Sequence, residues 1–180
     1  TGLLMAKCLQ DAGLPDGVLS VVYGVPHVIS TYLLSSPIIR KMSFTGSVPV
    51  GKALMKLAAD NMIRTTMELG GHAPVLVFED ADLESTLDMA VAAKFRNAGQ
   101  VCVSPTRFYV HESLHARFVE GFTARVNKIV VGNGLDENTQ MGPLIHSRRR
   151  DAISDLVDDA VKNGATLNTG GEAIEGPGNF

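Results

Sequence analysis

Tryptophan is absent from this chain, and aromatic residues make up only 6% of it against 45% hydrophobic residues in all. That balance is ordinary for a soluble α/β protein and excludes a disordered segment. Charge of one sign is not concentrated anywhere. Lys and Arg are interspersed with Asp and Glu to a net charge of -3, so no basic face is on offer to nucleic acid. Nor does any apolar run approach the roughly 18 to 20 residues that cross a bilayer. The start carries neither a basic leader nor a signal-type hydrophobic stretch, so the chain reads as cytoplasmic. Cysteine is scarce as well. Cys8 and Cys102, far apart, make neither a disulfide framework nor the clustered spacing of a zinc site, and each is expected to be a free thiol.

What is present is an alternation of periods. Leu3 to Ala12 has helical apolar spacing and stops at Gly13; Pro15-Asp16-Gly17 makes a turn, and Val18 to Val22 reads as a short buried strand. A helix from about His27 to Ser35, a strand at Met42 to Thr45, a helix from about Pro49 to Asp60 and a strand at Thr65 to Leu69 continue the pattern. Gly70-Gly71 interrupts it, and a strand at Pro74 to Phe78 follows. Asp82 can cap a helix running to about Phe95. A strand near Phe108 to Val110 and amphipathic helices around Leu114 to Ile129 and Ile153 to Val161 close the series, the last ended by Gly164. Repeated strand-helix alternation predicts an α/β fold with parallel, doubly wound sheets. A boundary near Gly70 divides the chain into residues 1–69 and 70–180. With Thr1 opening directly on a helix and Gly176 to Phe180 ending in a turn-rich stretch, the fold reads as incomplete at both ends.

Three segments can carry chemistry. Phe95-Arg96-Asn97-Ala98-Gly99-Gln100-Val101-Cys102 sets a cysteine a few residues past a helix end, in a glycine-bearing turn. Such a thiol is either presented at a surface or cleft or buried as a small hydrophobe, and the octapeptide alone does not decide. Met67-Glu68-Leu69-Gly70-Gly71 ends a strand with a carboxylate and two glycines. There the acid is either a turn residue or a base. Phe44-Thr45-Gly46-Ser47 through Gly51 lies between a strand and a helix, where free N–H groups and the positive helix end favour phosphate, although glycine turns there often serve geometry alone. The segment lacks the Gly-x-Gly-x-x-Gly fingerprint of the ordinary dinucleotide fold.

Taken together these segments resemble the aldehyde dehydrogenase superfamily, in which Glu-Leu-Gly-Gly is followed by Gly-Gln-x-Cys, here with the thiol 34 positions after the acid. The resemblance extends through Ser43 to Ser47, Met141-Gly142-Pro143-Leu144-Ile145 and the closing Gly-Asn-Phe. The run from Lys94 to Arg107 looks most like the branch that oxidises succinate semialdehyde and related ω-semialdehydes. The resemblance implies an enzyme that oxidises a small aldehyde to an acid with NAD or NADP, with Cys102 as nucleophile and Glu68 as general base. Gly46, Ser47, Gly51, Leu69 and Gly70 would then contact the cofactor. Residues 1–69 would be the second half of a cofactor-binding domain and residues 70–180 part of a catalytic domain. Members assemble as homo-oligomers, so the same is expected of the full-length parent.

The chemistry asked of the two residues is consistent with their types. A thiolate adds to the aldehyde carbon, the backbone N–H of Cys102 can steady the resulting oxyanion, and loss of hydride leaves a thioester. A partly desolvated Glu68 would take a proton from the water that hydrolyses it. Two other readings stay open: a relative that passes the acyl group to coenzyme A, and a non-catalytic nucleotide-binding or structural fragment. The family also uses an upstream Asn in the oxyanion hole, an upstream Lys at the adenosine ribose and a downstream Glu-x-Phe. None lies within residues 1–180, so the isolated chain is expected to be feeble or inactive.

The remaining candidates are read plainly. Cys8, among Leu and Ala, is expected in the core. His27, His72, His111, His115 and His146 show no metal-ligand spacing, and no metal site is expected; His72 can line the cleft but receives no role. Arg148-Arg149-Arg150 opens a helix as a solvated face. Asn97, Gly99 and Gln100 shape the cysteine loop.

Overall fold

A computed structural model describes every residue except Glu175 and Pro177, so the expected turn at Gly176-Pro177-Gly178 falls partly outside the described residues. The chain divides into two compact units, Thr1–Leu69 and Gly70–Phe180. Each is built around its own parallel two-stranded sheet, in agreement with the α/β class expected from the alternation.

In the first unit α1 (Gly2–Asp11) and α2 (Pro26–Leu34) precede the core β-α-β element: β1 (Lys41–Gly46), α3 (Val48–Ala59) and β2 (Arg64–Leu69). The strands run parallel and in step, with Lys41 opposite Arg64 and Gly46 opposite Leu69. Parallel strands require a crossover, and α3 supplies it. Its Leu54 and Ala58 lock against Leu34 of α2 and Ile63, and the sheet adds Met42, Phe44 and Met67 to that cluster.

Two expectations fail in this unit. Val18 to Val22 is not a strand: the segment pairs with nothing among the described residues, and Val18 is 65% exposed. β-branched residues favour a pleated backbone, but a strand exists only when a neighbour accepts its ladder of hydrogen bonds. Cys8 is exposed rather than buried, and α1 has no buried residue at all. Apolar spacing marks the face a helix would bury, and here no partner element covers it.

The second unit repeats the β-α-β theme with β3 (Ala73–Val77), α4 (Leu83–Phe95) and β4 (Pro105–Val110), followed by α5 (Glu112–Val126) and α6 (Ser147–Lys162). The β3–β4 register shifts between Ala73 and Pro74, so Ala73 faces Pro105 while Pro74 faces Arg107. Asp82 caps α4 as expected, its Oδ1 accepting from the Ser85 N–H at 3.1 Å. Leu87, 1% exposed, anchors the core with Val77, Ala90, Leu114 and Phe118. On the surface, Arg125 of α5 spans to α4, donating to Asp88 at 2.6 Å and Glu84 at 2.7 Å; these two partners raise its pKa above the ordinary guanidinium value.

Two histidines without an assigned role turn out to be helix caps. His111 Nδ1 accepts from the Ser113 N–H at the start of α5, and His146 Nδ1 accepts from the Arg149 N–H at the start of α6. Each ring nitrogen satisfies a first-turn donor that the helix itself cannot.

Candidate active site

In the first unit, the strand order places four of the expected cofactor residues together. β1 delivers Gly46 directly opposite Leu69 on β2, and Thr45 opposite Glu68. Ser47 then takes an extended backbone conformation as the residue before α3, with Pro49 in the first turn. Proline suits that position because its missing N–H would have had no partner there. No side chain caps α3, so its first-turn donors are not consumed internally.

Gly51, buried in the first turn of α3, explains how close that helix end comes to β2. A Cβ at this position would lie 2.8 Å from Leu69 Cδ2, closer than any carbon pair tolerates. A Cβ on Gly46 would run into the Phe44 ring. At both positions a Cβ would displace a packed side chain, and the absent side chains leave a bare backbone cradle beside an uncapped helix start. That is the form of site an anionic pyrophosphate requires, and it fits a dinucleotide.

Glu68 follows from the period of β2. Thr65, Met67 and Leu69 turn toward the interior while Arg64, Thr66 and Glu68 are exposed. The carboxylate therefore meets solvent within its own unit rather than the partly desolvated surroundings expected of it. Among the described residues no hydrogen bond or ion pair engages it.

The second unit holds Gly70 and the cysteine loop. α4 ends at Phe95, and a tight turn over Arg96–Gly99 follows in which Asn97, Ala98 and Gly99 have φ of 53°, 52° and 73°. Left-handed backbone is ordinary for glycine and tolerated by asparagine, but for alanine it carries strain. The Gln100 N–H donates to the Asn97 carbonyl at 3.1 Å to close the turn. Cys102 then sits in the next turn, exposed and free. Of the two readings open to it, the presented thiol is the one found.

Sequence reasoning did not single out Ser104, yet it is the one buried polar side chain among the described residues, at 3% exposure. Its hydroxyl donates to the Lys94 carbonyl at 3.3 Å, and its N–H donates to the Val101 carbonyl at 2.9 Å. Only its place before Pro105 hinted at turn chemistry. The glycine pair after β2 also reaches this loop: a Cβ on Gly71 would lie 3.7 Å from the Cys102 carbonyl oxygen. His72 is fastened to the strand that leaves the loop, through Thr106 Oγ1 at 3.3 Å and through Arg107, which donates to the His72 carbonyl at 3.1 Å.

Elsewhere in this unit lies a cavity of about 830 Å³ between Phe95, Phe108, Phe122, Met141 and Phe180. Cys102 does not line it; Ala98 does. No group of His, Cys, Asp and Glu suited to a metal occurs among the described residues, and no helix among them is long and apolar enough to cross a membrane.

Comparison with known proteins bears on both halves of this geometry. A succinate-semialdehyde dehydrogenase of Paenarthrobacter nicotinovorans is 48% identical over the whole of this chain, which spans 40% of that relative's length. The succinate-semialdehyde dehydrogenase (NADP(+)) of Escherichia coli (strain K12) is 41% identical, again over the whole chain and 37% of the relative. Among solved structures, a succinate-semialdehyde dehydrogenase from Burkholderia pseudomallei superposes with a TM-score of 0.95 at 45% identity, covering 99% of this chain and 37% of its own. The chain thus spans between a third and two fifths of the length of the curated relatives it matches. The model of the aldehyde dehydrogenase family matches residues 1–180, and this chain belongs to that family.

Proposed function

We propose that this protein oxidises a small aldehyde, a semialdehyde in the first instance, to the carboxylic acid, with Cys102 as nucleophile and Glu68 as general base. The observation that carries the proposal is the exposed Cys102 thiol in a loop fixed at both ends, within a chain that the family model matches throughout. The substrate class is drawn from relatives named as succinate-semialdehyde and glutarate-semialdehyde dehydrogenases, at 48% and 40% identity. We take Thr1–Leu69 as part of the cofactor-binding domain and Gly70–Phe180 as part of the catalytic domain.

The chemistry runs on residues of this chain. The Cys102 thiolate adds to the aldehyde carbon, and the electron pair of the carbonyl moves to oxygen, where the Cys102 N–H can donate to it. When that oxygen re-forms its double bond, the carbon gives up its hydrogen as hydride and a thioester to Cys102 remains. A bound nicotinamide dinucleotide, NAD or NADP, supplies the acceptor for that hydride. Its phosphates would be held at the bare turn of Gly46, Ser47 and Gly51, with Leu69 and Gly70 lining the approach. Glu68 takes a proton from water, the oxygen of that water attacks the thioester carbon, and the thiolate leaves as the acid is released. The whole enzyme acts as a homo-oligomer, and residues 1–180 alone turn over feebly.

Cys8 provides an internal standard for the test. Both thiols are exposed, so iodoacetamide reaches both, but only the nucleophile should be shielded by a semialdehyde that adds to it. Peptide mapping should show Cys102 labelled faster than Cys8 and selectively protected by aldehyde. Equal labelling, with no protection, contradicts the assignment.

A further inference from the structure

Where the Cys102 loop rejoins the protein it is fastened to one atom, the carbonyl oxygen of Lys94. This carbonyl belongs to the last turn of α4, where helix geometry supplies no backbone donor. A Cβ added at Gly99 would lie 3.2 Å from this oxygen, and the φ of 73° is one that only glycine adopts without strain, so the turn ahead of the thiol depends on glycine there. The Ser104 hydroxyl donates to the same oxygen at 3.3 Å, from a side chain that is almost fully buried. The residues between, Gln100 to Val103, bulge outward with Cys102 and Val103 exposed. A further bond, from the Ser104 N–H to the Val101 carbonyl at 2.9 Å, tightens the bulge around Cys102 itself.

Building on the reading of Cys102 as the nucleophile, we propose that Ser104 and the Lys94 carbonyl form a clasp that positions the Cys102 thiol, with Ser104 as its positioning residue. Ser104 touches no reacting atom. Its hydroxyl closes the loop so that the thiol and the Cys102 N–H are presented in one arrangement rather than several. The strained backbone at Asn97 and Ala98 makes such a closure necessary, because an unfastened loop would relax away from left-handed geometry.

The test compares Ser104→Ala, which deletes the donor, with Ser104→Thr, which keeps it, in the same 180-residue chain. Two readouts are taken: amide hydrogen exchange across residues 100–104, and the rate of Cys102 alkylation by iodoacetamide divided by that of Cys8. The Ala variant should speed exchange in the loop and lower the alkylation ratio by roughly five-fold, about the factor one net hydrogen bond represents. The Thr variant should restore both.

An unchanged ratio in Ser104→Ala overturns the clasp. So does faster exchange that spreads through β3 and β4, which would make Ser104 a folding residue. A ratio near one in the unaltered chain would be a failure of the nucleophile reading alone; loop exchange would still decide whether the clasp exists.

Discussion

The turn from Gly46 into α3 and the loop from Arg96 to Ser104 both follow a regular element and both contain glycine, yet they are built in opposite ways. In the first, the helix start is regular, no side chain caps it, and glycines at 46 and 51 serve only to bring backbone close to Phe44 and Leu69. In the second, the backbone is left-handed at three successive positions and is held by a buried side-chain hydroxyl. The difference follows from the roles proposed for them, phosphate binding for the first and the nucleophile for the second. A phosphate cradle needs many unclaimed backbone donors, which an ordinary helix end has for free. A nucleophile needs one atom fixed in place, which irregular backbone achieves only when something else restrains it.

Substitutions sharpen this contrast. In the full-length enzyme Cys102→Ser should abolish oxidation, by about 10³-fold or more, since a hydroxyl at the same place is a far weaker nucleophile. Steady-state NAD(P)H production measures it, and retained turnover would put the chemistry elsewhere. Glu68→Gln should slow acid release by about 10²- to 10⁴-fold while transfer of the acyl group to an added thiol survives. Parallel loss of both would contradict the base assignment.

Further substitutions separate the two units physically. Leu87→Ala, at the centre of the second core, should cost about 2 to 5 kcal/mol there, seen as faster amide exchange in α4 and α5 with little change in α3. Gly51→Ala should force α3 away from Leu69 at about 1 to 3 kcal/mol and weaken dinucleotide binding in a fluorescence titration. Full-strength binding by that variant would break the account of the cradle. The smallest effect expected is that of Asp82→Ala, which removes the cap of α4 at about 1 kcal/mol and lowers the melting temperature without altering the alkylation ratio of the two thiols.

The regular parts were legible because their signals are local. Pro49 and the spacing of Leu54 and Ala58 announce α3, and Asp82 announces α4. The alternation in β2 places Glu68 and Leu69 on opposite faces. Where the deciding partner lies elsewhere in the fold, the sequence is silent or misleading. Val18 to Val22 has strand composition but no neighbour to pair with. Cys8 has core-like neighbours on a helix that buries nothing. Ser104 acts through a carbonyl ten positions earlier, a relation created by the turn at Arg96–Gly99 and invisible in any periodicity. That turn was itself only half legible, because Asn97 and Gly99 suit left-handed backbone whereas Ala98 does not.

The central claim is that an acyl group is carried on the Cys102 sulfur and released with the help of Glu68. Intact-mass and peptide analysis of Glu68→Gln in the full-length enzyme, after one turnover with a semialdehyde and NADP, tests it most directly. A thioester accumulating on Cys102, and discharged by hydroxylamine, is the predicted result. Absence of any adduct while acid is still formed, or an adduct on Cys8 instead, would contradict it.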